Sequence, residues 1–255
     1  MRHGPRTAIV TGASRGIGLA IAERLVEDGY RVVGCARTPG DASKALARFG
    51  DQAFGVDADV TSPEAVQSVI DAATTRFGGL DVLVNNAGVY QRDGFLDLTE
   101  ADWTGLMSIN VTGAFLFAQA AARAMIETQS SDRGGGRIVN IASVAGILSD
   151  PGSASYNASK AAVISLTRSL ATDLARHGIA SMCIAPGWID TDIDPVFATL
   201  TPEQRARLNP QGRAGTPAEV AHAVASVSDP RAQFMNGAII TVDGGQSATY
   251  PPAVS

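Results

Sequence analysis

The stretch Thr11-Gly12-Ala13-Ser14-Arg15-Gly16-Ile17-Gly18 decides how this chain is read. Before it runs Thr7-Ala8-Ile9-Val10, short, apolar and β-friendly. After it, Leu19-Ala20-Ile21-Ala22-Glu23-Arg24-Leu25-Val26 repeats apolar residues at helical spacing. A strand, a glycine-rich turn and a helix start form the corner that a phosphate group needs. Glycines let the backbone turn sharply and approach a ligand, because no Cβ intrudes. The helix start beyond them offers unpaired N–H groups and a partial positive charge. Taken alone, the glycines fit a plain structural turn equally well. Their spacing, Gly-x-x-x-Gly-x-Gly, also departs from the Gly-x-Gly-x-x-Gly of the usual dinucleotide turn.

Outward from this corner, strand-like and helix-like stretches alternate to the end of the chain. Strand-like runs occupy 7–10, 31–36, 53–56, 81–84, 137–141, 179–184 and 238–242. Helical patterns fall near 41–49, after Ser62-Pro63, after Thr99, over 111–126, over 155–176 and after Thr216. Ser62 followed by Pro63 is a capping residue with proline at the first helical position. Thr216-Pro217-Ala218-Glu219 spells a capping box. Seven strands alternating with helices predict a doubly wound α/β fold: a parallel sheet, helices on both faces and ligands at the strands' carboxyl ends.

The 255 residues could form one large α/β domain or two small ones. No linker, repeat or low-complexity run divides them, so one domain over residues 1–255 is expected. A composition 45% apolar and 18% charged supplies a sizeable core and excludes disorder. The formal charge of −5, with acids and bases interspersed, argues against a nucleic-acid surface. Met1-Arg2-His3-Gly4-Pro5-Arg6 carries no long apolar run, and the most apolar helix, 111–126, is interrupted by Gln119 and Arg123 and is short for a bilayer. A cytoplasmic protein without membrane association is expected. Cys35 and Cys183 read as buried structural thiols. His3, His177 and His222 lack any partner at motif spacing, and no metal site is expected.

Two connections are long. Residues 130–136 are polar and read as a flexible surface loop. Residues 190–215 carry Pro195, Pro202 and Pro210 and a capped turn at Thr201-Pro202-Glu203-Gln204. Loops of this length are usually functional, so a substrate lid is expected there, with a surface insertion as the alternative.

The residues able to do chemistry lie in the second half. Ser143 follows the fifth strand and projects at its carboxyl end. Tyr156 and Lys160 are four apart on a helix and share a face. A tyrosine, with an ordinary pKa of about 10, is a poor base at neutral pH. The neighbouring ammonium is expected to lower that pKa, and a positively charged nicotinamide ring would add to the effect. Tyr-x-x-x-Lys alone is common; its position gives it value here.

With these residues in place, the chain resembles the short-chain dehydrogenase/reductases, in the subgroup of about this length. The resemblance runs over nearly the whole chain. It is carried by Thr11-Gly12 to Gly18, Asp59-Val60, Asn85-Asn86-Ala87-Gly88, Asn110, Ser143, Tyr156 with Lys160, Pro186-Gly187 with Thr191, and Val242-Asp243-Gly244-Gly245. The unusual glycine spacing is that family's form of the dinucleotide turn. Within the family the chain looks similar to the bacterial 3-oxoacyl-carrier-protein reductases.

The resemblance implies a single-domain Rossmann fold and hydride transfer between a nicotinamide cofactor and a ketone or secondary alcohol. It implies Tyr156 as general acid in reduction and Ser143 as the group holding the substrate oxygen. Lys160 would bind the nicotinamide ribose and poise the tyrosine. Asn110 would hold a water linking Lys160 to solvent, a kink or helix-end role being the alternative. Cofactor contacts are implied for the turn residues Gly12, Ser14, Arg15, Gly16, Ile17 and Gly18. They are implied also for Asp59 and Val60 at the adenine and for Asn86, Ala87 and Gly88 along the adenosine. Pro186, Gly187, Ile189 and Thr191 would lie at the nicotinamide end. Asn85 and Asp243 look structural.

Charge then argues for the cofactor. Sites that prefer NAD place Asp or Glu at the end of the second strand. Here Ala36 stands there, followed by Arg37 and Thr38, with Arg15 inside the glycine turn. Two guanidinium groups suit a 2′-phosphate, so NADP(H) is favoured over NAD(H), although Asp41 lies close in sequence. Val144, Ile147, Leu148 and Trp188, with Ser143, Tyr156, the lid and Tyr90, are expected to line an apolar pocket. That pocket suits a hydrophobic or acyl-type ketone better than a small acid, and leaves open whether a carrier protein delivers it. The helix over 111–126 is apolar on nearly every face and needs a neighbour beyond its own sheet, so a homotetramer is expected. Oxidation of a sugar or steroid alcohol would use the same residues in reverse. A non-catalytic cofactor sensor would usually lack the tyrosine or the lysine.

Overall fold

The computed structural model describes residues 4–191, 199–205 and 207–249. Among these, the strands are β1 (Thr7–Thr11), β2 (Arg31–Ala36), β3 (Ala53–Asp57), β4 (Val82–Asn85), β5 (Gly136–Ile141), β6 (Ile179–Pro186) and β7 (Ile239–Val242). They form one seven-stranded sheet in the order β3-β2-β1-β4-β5-β6-β7, and every neighbouring pair is parallel. Chain order reverses between β1 and β4, which opens a crevice at the carboxyl ends of those strands.

Alternation along each strand sends side chains to opposite layers. Ala8 and Val10 face one layer with Val32, Val84 and Ile184, and pack there on α1 (Gly16–Glu27), α2 (Asp41–Leu46) and α7 (Pro217–Ser228). Ile9, Val33, Leu83 and Ile138 face the other, against α3 (Pro63–Phe77) and α5 (Gly113–Glu127). The helix α6 (Ala154–Asp173) covers β6 on that same side through Val163 and Ile164, which meet Ala142 and Cys183. Both faces are covered, so the strands read as continuous apolar runs. The expected caps form: Ser62 Oγ accepts from Ala65 N at 3.2 Å, and Thr216 and Glu219 complete a capping box. Cys35 and Cys183 are buried and unpaired.

Several boundaries move. The helix expected over 41–49 gives way to a tighter turn at Ala47–Gln52, and that over 155–176 ends at Asp173. Residues 130–136 are less loop-like than expected. Ser130–Arg133 is a helical turn, Ser130 is buried, and Gly136 already belongs to β5, because Gly135 N closes back on the Ser130 carbonyl at 3.1 Å.

The largest change concerns the helices expected after Thr99 and over 111–126. The first, α4 (Glu100–Met107), runs into α5 through a π turn at Ser108–Thr112. The continuous run Glu100–Glu127 is long and apolar enough to cross a membrane by length and composition, unlike the shorter segment expected. One face of it packs on the sheet, with Phe117, Ala118, Ala121 and Met125 fully buried in the layer beneath β4 and β5, while Trp103, Phe115 and Ile126 stay partly exposed.

Candidate active site

The glycine corner is braced by the end of β4. Thr11 Oγ1 accepts from the backbone N–H groups of Asn86 and Ala87, both at 2.9 Å. The Asn86 amide donates to the carbonyls of Thr11 at 2.9 Å and Gly12 at 3.3 Å. Asn86, expected along the adenosine, thus also holds the turn shut. Gly12 has φ +67°, and a Cβ on Gly18 would strike the Gly12 carbonyl oxygen and the Asn86 amide. Beyond the corner α1 begins with no side-chain cap and no acidic residue in its first turn. Its leading N–H groups therefore have no side chain to satisfy them.

Arg15, Arg37 and Thr38 are exposed beside this corner. Asp59 accepts from Thr61 N at 2.9 Å and Thr61 Oγ1 at 2.7 Å. These bonds, with a smaller contribution from Arg37, hold its carboxyl below the usual range. Val60 is turned towards Gly113 of α5 and packs there.

A cleft of about 310 Å³ opens at the carboxyl ends of β4, β5 and β6. It gathers Ser143, Tyr156 and Lys160 with Ile17, Asn86, Gly88, Val144, Leu148, Pro186, Gly187, Trp188, Ile189 and Thr191. Ile147 is not among them. It stands at the end of the turn after Ser143 and is 48% exposed, much as Leu148 is at 44%. The lining also includes Tyr90 and residues that carry no motif and were missed in the sequence, among them Ser149, Asp150, Pro151 and Gln246. The Gln246 Oε1 is buried without a hydrogen-bond partner.

Ser143 caps a short helical turn, accepting from Ala145 N at 3.1 Å and donating to the Pro186 carbonyl at 3.5 Å. Lys160 is 6% exposed and donates from Nζ to the Ile141 carbonyl at 3.0 Å. Its Nζ lies 5.6 Å from the centroid of the Tyr156 ring. Burial pushes the lysine down to about 8. The expectation for Tyr156 is reversed. Burial of its hydroxyl among protein groups pushes it up to about 12, against the opposing pull of the nearby Ser143 hydroxyl, and Tyr90 and Asp150 add to the rise.

Asn110 sits in the π turn, 2% exposed. Its Oδ1 accepts from Val89 N at 2.8 Å, while Nδ2 donates to the Val89 carbonyl at 2.9 Å and to Ser159 Oγ at 3.1 Å. The side chain therefore works as a clamp between the loop after β4 and α6. Deeper in the fold, the Asn85 amide donates to Asn140 Oδ1 at 2.9 Å and Asn140 donates to Thr167 Oγ1 at 3.0 Å, joining β4, β5 and α6. Asp243 accepts from Gly245 N, Ser247 N and Ser247 Oγ, as a structural residue should. The expected lid leaves and returns at a parallel bridge between Ile189 and Gly215. Its residues 192–198 and 206 lie outside the described residues.

A doubly wound sheet, an uncapped glycine corner at its switch point, and a hydroxyl, a phenol and an ammonium in one cleft define an α/β oxidoreductase. The chain belongs to the short-chain dehydrogenase family: the family model described as short chain dehydrogenase matches residues 6–199. The 3-oxoacyl-[acyl-carrier-protein] reductase FabG of Vibrio cholerae is 40% identical over 243 residues, which cover 94% of this chain and 96% of the relative. The cis-4-hydroxycyclohexanecarboxylate dehydrogenase of Sinomonas cyclohexanicum is 41% identical over 249 residues, covering 95% and 97%. Among solved structures, a gluconate 5-dehydrogenase from Burkholderia cenocepacia in complex with NADP and tartrate superposes with a TM-score of 0.89. It shares 35% identity, with 98% of each chain covered.

Proposed function

We propose that this chain is an NADP(H)-dependent carbonyl reductase whose whole length, residues 1–255, works as one catalytic domain. The observation that carries the reading is the meeting of Ser143, Tyr156 and Lys160 in one cleft beside the uncapped start of α1.

The glycine corner fits a dinucleotide, because an uncapped helix start attracts a pyrophosphate. Gly12, Ser14, Gly16, Ile17 and Gly18 would hold it, with Asp59, Val60, Asn86, Ala87 and Gly88 on the adenosine side and Pro186, Gly187, Ile189 and Thr191 at the other end. Arg15, Arg37 and Thr38 are exposed beside it, and Ala36 rather than an acid ends β2, which suits a 2′-phosphate. When bound, this cofactor supplies the hydride to the carbonyl carbon, or takes it in the reverse reaction. Tyr156 gives its proton to the carbonyl oxygen, which becomes the alcohol hydroxyl. Burial favours the protonated phenol, so the proton is in place at neutral pH. Ser143 holds the oxygen, and Lys160 binds the ribose side and supports the phenol. Asn110 keeps the loop after β4 in register with α6, and the water relay expected of it needs groups besides its amide.

Val144, Leu148 and Trp188 make one wall apolar, which suits a hydrophobic or acyl-type ketone, and FabG relatives bring in a carrier-bound acyl group. Residues 190–215 serve as the lid. Trp103, Phe115 and Ile126 are partly exposed on the α4–α5 run, an apolar surface that suits a homotetramer, and the cytoplasm is its proposed compartment. The assay is NADPH oxidation against ketones, β-keto thioesters, quinones and aldehydes, with NADH and Tyr156→Phe as controls. Turnover with NADPH that disappears in the variant supports the reading; turnover that survives it overturns the reading. Oxidation of a secondary alcohol is the second reading, favoured by the dehydrogenase names among relatives of similar identity. The same enzyme with NADP and 4-hydroxycyclohexanecarboxylate or gluconate tests it.

A further inference from the structure

Tyr90 stands on the loop after β4, and its ring meets that of Tyr156 edge to face, centroids 4.9 Å apart and planes at 84°. Its hydroxyl is tied down. It donates to Asp150 Oδ2 at 3.0 Å and lies 3.1 Å from Ser153 Oγ, which donates to the same carboxylate oxygen at 2.8 Å. Asn157 fixes the Asp150 backbone from both sides, accepting from its N–H at 3.4 Å and donating to its carbonyl at 2.9 Å. Arg92 closes the outer side, 3.6 Å from Asp150 Oδ1. None of these residues belongs to the glycine turn or to the Tyr-x-x-x-Lys pair.

We propose that Tyr90, anchored by Asp150, is a positioning residue that fixes the Tyr156 ring in the cleft. The proposal rests on the reading of Tyr156 as proton donor. A phenol on the first turn of a helix can swing about two side-chain torsions, yet its hydroxyl must stay within hydrogen-bond reach of the substrate oxygen. Ser143 restrains the hydroxyl end alone. The Tyr90 ring restrains the body of the side chain, in an arrangement that aromatic quadrupoles favour. Because Tyr90 is itself anchored at its far end, it cannot follow Tyr156 if that ring swings. Charge enters as well. The groups around Tyr156 are Lys160 on its own helix, Asp150 with Arg92 behind it, and the hydroxyls of Ser143 and Tyr90. Asp150 and Tyr90 both favour the protonated phenol.

The full chain is assayed with NADPH and the best substrate of the panel, comparing Tyr90→Phe, Tyr90→Ala, Asp150→Asn and Tyr156→Phe. NADPH binding by fluorescence and circular dichroism report on folding. Tyr90→Ala lowers kcat by about tenfold to a hundredfold while KM and NADPH affinity hold. Tyr90→Phe keeps the ring, loses the anchor and falls between; if the alanine variant does not fold, it decides alone. Asp150→Asn keeps an acceptor for Tyr90, and its kcat falls less than that of Tyr90→Ala. Unchanged kcat in the Tyr90 variants, or a rise in KM alone, overturns the proposal. Turnover surviving in Tyr156→Phe overturns instead the proton-donor reading beneath it.

Discussion

Lys160 donates from Nζ to the carbonyl oxygen of Ile141 at 3.0 Å, which ties α6 to the carboxyl end of β5. A cation 6% exposed that, among the described residues, meets a carbonyl rather than a carboxylate is held at a cost in folding energy. The cost is visible in its proton affinity, which burial lowers from the ordinary 10.5 to about 8. Below about 8 the lysine is charged in both folded and unfolded chains, so the full penalty is present. Between about 8 and 10.5 the folded lysine has lost its proton while the unfolded one has kept it, and the penalty fades.

Lys160→Met therefore stabilises the protein at pH 7 by about 2–3 kcal/mol while removing turnover. The gain shrinks as pH rises from about 8 towards 10.5. Thermal melts of both proteins across that range check it, and an equal midpoint at pH 7 would refute it.

The arginines beside the glycine corner separate the two nicotinamide cofactors. Replacing Arg15 and Arg37 by alanine weakens NADPH binding by about tenfold or more, since hydrogen bonds to charged groups are worth about 1.5–3 kcal/mol. NADH affinity is little changed. Fluorescence titrations with both cofactors decide it, and parallel losses would show that the arginines do not read the 2′-phosphate.

Gly18→Ala places a methyl against the Gly12 carbonyl and the Asn86 amide, neither of which can yield without opening the corner. A loss of about 1–3 kcal/mol in stability is expected, together with weakened cofactor binding. Gly105→Ala in α4 meets nothing within 4 Å and is the control. It is expected to gain about 0.5–1 kcal/mol through helix propensity. Urea unfolding of the pair measures both signs.

Asn140 is fully buried between Asn85 and Thr167. Asn140→Ala removes an acceptor and a donor at once and leaves a small void, a loss of about 2–3 kcal/mol. Because α6 carries Tyr156, kcat falls as well if the helix shifts. Denaturant unfolding and initial rates read the two effects separately.

The strands were legible because both faces of the sheet are covered, so each run is apolar throughout and glycines, prolines and caps mark its ends. The helix starts at Pro63 and Pro217 were legible for a local reason: a hydroxyl three residues before the N–H it caps, with proline between. The join of α4 to α5 was not. A π turn leaves no strong composition signal, and Asn110 within it is held by Val89, twenty-one positions back in the chain.

Features that depend on neighbouring residues are readable from the chain alone: the alternation of strand and helix, the glycine corner, the helix caps, and the shared face of Tyr156 and Lys160. Periodicity and backbone sterics act over a few residues, so they can be read in one dimension. Packing across the fold brings Asp150 into the cleft and lets Tyr90 reach it across sixty positions. It also decided the sign of the Tyr156 shift. A lysine four residues away suggests a lowered pKa, but desolvation depends on everything packed around the hydroxyl, and that environment is assembled from β4, β5 and α6 together.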